Sequence, residues 1–141
     1  MFFQVIFVDW ETGATIDLGS WSLTEESVRE YLDATGDDLG IYSESGLAPP
    51  LALCAYALGA MLEKLSLPPG TIHSIQEMEV LAPVAVGESL YGAAVPERPR
   101  SRGGLRFLTV SYTVTNHSGD TVQTGKTTVL APDTESETGR G

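Results

Sequence analysis

The chain has 141 residues, 42% of them hydrophobic, and its 19 acidic and 8 basic residues give a net charge of −11. This length predicts one domain that can bury a core, which we place at residues 1–131. The charge argues against binding to nucleic acid, where phosphate contacts dominate, and against anionic membrane surfaces.

Two extended segments are predicted near the N-terminus. Residues 2–8 are rich in aromatic and β-branched side chains, which favour a strand. A shorter extended piece is predicted at residues 15–21. The first fifty residues carry a strong negative charge, because Arg29 is their one basic residue and carboxylates are frequent among them.

A helix is predicted to follow these strands. Thr24 is a good N-cap for it, with two glutamates in the first turn, although Ser22 and Glu25 form a competing capping box. Gly36 suits the left-handed position that ends a helix. We therefore expect one amphipathic helix here, followed by a loop over residues 36–47.

A second helix is predicted over residues 51–65, a run that is apolar almost all round. Proline is tolerated only in a first helical turn, so this helix should begin near Pro49 or Pro50 and end before Pro68. A helix that is apolar on every face needs cover on every face. It is too short to cross a bilayer, so that cover must be protein.

The remainder of the chain predicts β-structure. Polar and apolar side chains alternate clearly over residues 107–115, as expected for a strand with one face buried. Turns are expected at residues 84–88 and 116–120, a loop at 99–104, and a disordered polar tail at 132–141. The four predicted strands are Thr71–Leu81, Ser89–Pro96, Leu105–Thr115 and Thr121–Ala131.

These elements predict an α+β fold in which an antiparallel sheet of about five strands wraps around one long buried helix. One sheet covers one side of a helix, so a second subunit is expected to supply further cover, and we expect a dimer.

Cys54 is the one cysteine, which excludes an intramolecular disulfide and a thiolate zinc site. No metal or cofactor is indicated. Met1–Trp10 lacks the basic region of a secretory signal, so a cytoplasmic location is expected.

Several short motifs, in order, resemble the MaoC-like hot-dog dehydratases and hydratases over roughly residues 20–131. They are LTEESVREY running to TGD at residues 23–37, APPL at 48–51, EVLAPV running to GESL at 79–90, and the hairpin VTN to GD at 114–120. The Ala-Pro-Pro segment is most similar to the branch that forms the N-terminal half of MaoC dehydratase and lacks the catalytic histidine. Members of that branch often work with a catalytic hot-dog subunit or domain.

The resemblance implies a hot-dog fold and an acyl-thioester substrate, carried on coenzyme A or acyl carrier protein. The family reaction is reversible hydration of a trans-2-enoyl thioester to the (R)-3-hydroxyacyl form. A carboxylate and an imidazole spaced Asp-x4-His hold one water and exchange protons with the substrate. Backbone N–H groups at a helix N-terminus polarise the thioester carbonyl.

Carried over to this sequence, the family aspartate falls on Asp37 and the family histidine on Tyr42, the two implied catalytic positions. A phenol titrates near pKa ~10 and an imidazole near ~6.5, so a tyrosine is a poor base at neutral pH. Pro50 lacks the N–H of the residue it replaces, which leaves Leu51 and Ala52 as backbone donors. Both changes indicate a subunit that does not complete the reaction alone.

Further substrate-binding residues are suggested by position and charge. Tyr56 is suggested to line an acyl tunnel along the long helix, and a place in the core is the competing interpretation for it and for its neighbours on the helix. Arg98, Arg100 and Arg102 lie in a basic loop that would attract the phosphates of a carrier or an acidic carrier protein. Solvated surface charge is the competing interpretation of this loop.

Three functions remain open from the sequence. The first is an acyl-binding subunit that works with a catalytic hot-dog partner. The second is a homodimeric enzyme with shifted chemistry, a thioesterase or a polyketide-tailoring dehydratase or cyclase, in which Asp37 is the base and Tyr42 an orienting donor. The third is a non-catalytic domain that binds a ligand in the same cavity.

Overall fold

The computed structural model describes residues 10–133. The predicted strand at residues 2–8 and nearly all of the predicted polar tail lie outside this part of the chain. The described elements, in chain order, are β1 (Ile16–Trp21), α1 (Glu25–Thr35), α2 (Ile41–Ser45), α3 (Pro50–Lys64), β2 (Ile72–Val80), β3 (Leu90–Pro96), β4 (Arg100–Arg102), β5 (Leu105–Asn116) and β6 (Thr121–Pro132).

The strands form one antiparallel sheet. Its order is β1-β3-β5-β6-β2, and β4 pairs with β5 beyond the end of β3. The long β5–β6 hairpin forms the centre, closed by a turn in which the Asn116 N–H donates to the Asp120 carbonyl at 2.9 Å. The strand β2 pairs with β6 alone and is therefore an edge of the sheet.

The helix α3 packs across the sheet, as the α+β prediction required. Its buried residues share one core cluster with Tyr112 and Val114 of β5. The opposite side of α3 is open in the single chain, where Leu51 is 58% exposed and Leu62 is 47% exposed. Within one chain, α3 is therefore not buried on every face. The buried side of α3 consists of Ala52, Leu53, Cys54, Ala57 and Met61.

The structure resolves the alternatives at α1 in favour of Thr24. Its side-chain oxygen accepts from the Ser27 N–H at 3.1 Å, and Gly36 ends the helix in the left-handed conformation with φ 71°. A helix begins best where a side chain satisfies one of its free N–H groups. Thr24 does so here, and α1 begins at Glu25.

Two segments predicted as loops contain regular structure. The loop at residues 36–47 includes α2, a single turn bracketed by Gly40 and Gly46, both at positive φ. The loop at 99–104 includes β4, which pairs with the start of β5 around Gly103 and Gly104, also at positive φ. Glycine pairs of this kind suit a tight two-residue hairpin. Among the described helices, none has the length and apolar character needed to cross a membrane.

Candidate functional site

An apolar cavity of about 350 Å³ lies at the N-terminal end of α3, beside the ends of β2 and β6. Tyr42 and Gln123 are the two lining residues whose side chains carry polar atoms, so the interior suits a hydrocarbon chain with one or two polar anchors. The lining consists of Tyr42, Leu47, Ala48, Pro50, Leu53, Val80, Leu81, Ala82, Pro83, Val84, Val122 and Gln123.

A second cavity of about 480 Å³ lies between α1 and α2, and Tyr42 lines both cavities. This second cavity is acidic, because four carboxylates line it and Arg29 is the basic residue among them. The carboxylates belong to Glu25, Asp33, Asp37 and Asp38. The two cavities therefore adjoin at Tyr42, one apolar and one charged.

The structure brings Asp37 and Tyr42, the two implied catalytic positions, to the wall of this second cavity. Gly36 turns the chain after α1, and the Asp37 carboxylate then accepts from the Leu39 N–H at 3.3 Å. Tyr42 stands in the first turn of α2. Both side chains are partly exposed.

Tyr31 on α1 is a further neighbour of this pair. Burial raises the pKa of the Tyr31 phenol, and the charges of Tyr42, Asp37 and Cys54 raise that pKa further. Tyr31 is therefore a neutral hydrogen-bonding group at physiological pH. Within residues 10–133, no group of three His, Cys, Asp or Glu side chains is arranged to hold a metal ion.

The residues at the start of α3 have separate roles. Pro50 lines the apolar cavity. The Ala52 N–H donates to the Pro49 carbonyl at 3.0 Å, so this candidate donor is already engaged, and the Ala52 side chain is buried in the core. The Leu51 N–H stands in the first helical turn, where no carbonyl of the helix reaches it. The Leu51 side chain points to the exposed side of α3.

Tyr56, suggested as a tunnel residue, stacks on Trp21 of β1. The two ring centroids are 4.9 Å apart with an angle of 14° between the ring planes. Tyr56 is 47% exposed on its other side and lies away from the lining of both cavities. Its observed contact therefore links α3 to the first strand of the sheet.

The predicted basic loop lies at the other end of the sheet from the apolar cavity. Arg98, Arg100 and Arg102 are exposed on the β3–β4–β5 connection. Arg102 pairs with Leu105 at the start of β5, whereas the cavity residue Gln123 pairs with Val114 near the end of β5. Nine residues of strand span about 30 Å. These arginines therefore do not reach the cavity of their own chain.

A polar network that the sequence did not suggest borders the apolar cavity. The Tyr112 hydroxyl donates to Gln123 Oε1 at 2.8 Å, and Gln123 Nε2 donates to the Pro50 carbonyl at 3.0 Å. Burial, followed by the hydrogen bond with Cys54, raises the pKa of the Tyr112 phenol. The network ties β5 and β6 to the first turn of α3.

An antiparallel sheet wrapped on one apolar helix, with an apolar cavity at the start of that helix, defines the hot-dog class of proteins. Solved structures share this arrangement of sheet and helix. (R)-hydratase PhaJ1 from Pseudomonas aeruginosa aligns with TM-score 0.71 and 20% identity over 87% of this chain and 83% of its own. The HadBC (3R)-hydroxyacyl-ACP dehydratase complex from Mycobacterium tuberculosis aligns with TM-score 0.70 and 19% identity over 85% of this chain and 96% of that chain.

A hot-dog-like protein from Thermanaerovibrio acidaminovorans aligns with TM-score 0.64 and 15% identity over 94% of this chain and 92% of its own. MaoC-like dehydratases also share the fold. No protein-family model and no curated protein matches the sequence. The chain therefore has the hot-dog fold of MaoC-like dehydratases and (R)-hydratases, and the resemblance stated from the sequence is confirmed at the level of the fold.

Proposed function

We propose that this chain is a MaoC-like member of the (R)-specific 3-hydroxyacyl-thioester dehydratase and enoyl-thioester hydratase family, acting as an acyl-binding subunit beside a catalytic hot-dog partner. The observation that carries this proposal is the apolar cavity of about 350 Å³ at the N-terminus of α3. A cavity with so few polar lining groups favours an acyl chain over a polar metabolite. The substrate is then an acyl thioester of coenzyme A or acyl carrier protein.

The division of labour follows from the chemistry of Asp37 and Tyr42. Hydration of an enoyl thioester needs a group that takes a proton from water near neutral pH, and a phenol does this poorly. The described part of the chain carries its two histidines at His73 and His117. His73 contacts Gln76 on β2 and His117 lies in the β5–β6 turn, so neither lines the two cavities. A partner would therefore supply the imidazole.

The edge strand β2 and the open side of α3 support a role for a partner. The strand β2 pairs with β6 on one side, and none of the other described strands lies on its other side. All nine of its residues are exposed or partly exposed, and they include the apolar Ile72 and Ile75. Long exposed edges with apolar side chains are normally covered in native proteins. A hot-dog subunit placed along β2 would cover this edge. The HadBC neighbour is itself a complex.

The proposal is tested by a hydration assay on crotonyl-coenzyme A and longer enoyl thioesters, run beside a native mass measurement. We expect the purified chain to bind acyl thioesters without turning them over, and to gain activity when co-purified with a hot-dog subunit that carries Asp-x4-His. Robust turnover by the lone protein would refute the division of labour. Failure to bind any acyl thioester, alone or in the complex, would refute the substrate class.

The placement of Asp37 and Tyr42 on one cavity wall favours a second candidate, a homodimeric hot-dog enzyme with shifted chemistry. Here Asp37 would be the base and Tyr42 an orienting donor in a thioesterase or a polyketide-tailoring dehydratase or cyclase. Loss of thioester turnover in Asp37→Ala at an unchanged melting temperature would favour this function. Stabilisation by a ligand without turnover of any thioester would instead favour a non-catalytic binding domain.

A further inference from the structure

The side chain of Gln123 is a buried amide in the wall of an otherwise apolar cavity. It is 1% exposed and stands on β6 beside the first turn of α3. A primary amide has two N–H donors and a carbonyl oxygen, and burying these groups without partners is unfavourable. Its hydrogen bonds therefore decide what Gln123 contributes to the cavity.

The contacts of Gln123 fix the orientation of its amide. The Pro50 carbonyl can only accept, so the atom 3.0 Å from it is the donor Nε2. The Tyr112 hydroxyl then donates to Oε1 at 2.8 Å. Gly125 leaves room for this arrangement, because an added Cβ there would collide with the Tyr112 ring. The amide is thus held between two elements and cannot rotate without breaking both bonds.

One amide N–H of Gln123 is left over from this network. Within residues 10–133, the Pro50 carbonyl is the acceptor that Nε2 contacts, so its second N–H has no protein acceptor, and the residue itself lines the cavity. We propose that Gln123 donates this second hydrogen bond to the carbonyl oxygen of the acyl thioester bound in the cavity. This inference rests on the proposed function and names the residue that orients the substrate.

The position of Gln123 suits this role. Pro50 has no N–H, so the helix start lacks one backbone donor that could meet a thioester carbonyl. Gln123 Nε2 lies against the same residue and supplies a side-chain donor instead. In a cavity with few polar groups, a preorganised donor fixes where the carbonyl lies and hence the direction in which the acyl chain extends.

The test compares two ligands by titration calorimetry: hexanoyl-pantetheine, a thioester, and the thioether in which a methylene replaces the carbonyl. We expect the wild-type protein to bind the thioester roughly three- to tenfold more tightly, the difference expected for one neutral hydrogen bond. Gln123→Met should lose this preference. Tyr112→Phe is the matched control, since it removes a bond to the same amide but leaves the donor, and it should keep the preference.

The outcomes separate the two proposals. If the wild-type protein binds neither ligand, the proposed function fails and this inference fails with it. If both ligands bind equally, the acyl cavity stands and the role of Gln123 is overturned. Equal weakening of both ligands by Gln123→Met shows a structural role only and also overturns it. A thioester preference that persists in Gln123→Met, or in the isosteric Gln123→Glu if Gln123→Met does not fold, would assign the carbonyl to another donor such as the Leu51 N–H and would overturn the inference.

Discussion

Gly125 shows how a single residue controls the network beside the cavity. It lies on β6 opposite Tyr112 of β5, and a Cβ at this position would overlap the Tyr112 ring and lie 2.5 Å from the Glu77 carbonyl oxygen. We expect Gly125→Ala to lower the free energy of unfolding by about 1–3 kcal/mol, as overpacking of a core does. Urea unfolding followed by circular dichroism measures this.

The matched control for that experiment is Gly59→Ala on α3, where an added Cβ meets no atom within 4 Å. Alanine favours a helix over glycine, so Gly59→Ala should leave stability unchanged or raise it by up to about 1 kcal/mol. If both variants lose the same stability, the crowding at Tyr112 is not the cause.

Tyr112 itself gives a pH dependence with a defined sign. Burial raises its pKa in the folded state above the value of about 10 expected in the unfolded chain. The folded protein therefore holds this proton more tightly, so the stabilisation is present below about pH 10 and is lost as the pH rises above it. Wild-type protein should lose more stability than Tyr112→Phe between pH ~9 and ~11 in urea unfolding. Parallel losses in the two proteins would contradict the buried phenol.

Individual residues were the least predictable part of the site. The β-type segment at residues 121–131 predicted β6 but not the inward position of Gln123. The pairing of β5 with β6 shifts register between Val114 and Thr115, so Val122 and Gln123 are both buried although they are consecutive. A register shift depends on the neighbouring strand and leaves no local signal in the sequence. Asp37 and Tyr42 could be located only because they match a motif.

At the scale of elements, the start of α1 offers a direct test of its cap. The Thr24 side chain accepts from the Ser27 N–H, whereas the competing cap predicted at Ser22 lies before the helix. Thr24→Ala should lower the free energy of unfolding by about 1 kcal/mol, and Ser22→Ala should change it little. Both values come from the same denaturant titration. A larger loss in Ser22→Ala would show that the helix begins earlier in solution.

Long elements were predictable because their signals are strong and local. The double proline predicted a start of α3 near Pro49 or Pro50, and the helix begins at Pro50. Alternation located β5, and β-type segments between turns located β2, β3 and β6, all to within a few residues. The short elements α2 and β4 were missed because one helical turn has no periodicity and three residues of strand have no alternation to detect. Glycines at positive φ flank α2 and form the turn after β4, but glycines in this conformation are also common in irregular loops, so they do not reveal either element.

At the scale of the whole molecule, the two ends of the sheet carry opposite features. The acidic cavity and the apolar cavity lie at one end, and Arg100 and Arg102 of the β4 hairpin lie about 23–30 Å away along β5. If a two-fold partner continues the sheet through β2, its own β2 strand lies antiparallel to the β2 strand of the first subunit. The Ile72 end of one subunit would then stand beside the Val80 end of the other, which brings each arginine hairpin to the cavity end of its neighbour.

This geometry predicts that the arginines serve the cavity of the neighbouring subunit. Arg100→Glu should weaken binding of hexanoyl-coenzyme A to the assembled protein roughly two- to fivefold at low salt, the range of one exposed charge pair. Binding of hexanoyl-pantetheine, which lacks the nucleotide phosphates, should not change. Lys64→Glu at the end of α3 makes the same charge change elsewhere and should leave both ligands unaffected. If Arg100→Glu also leaves both unaffected in a protein shown by native mass to be assembled, the hairpin is solvated surface and the carrier phosphates bind elsewhere.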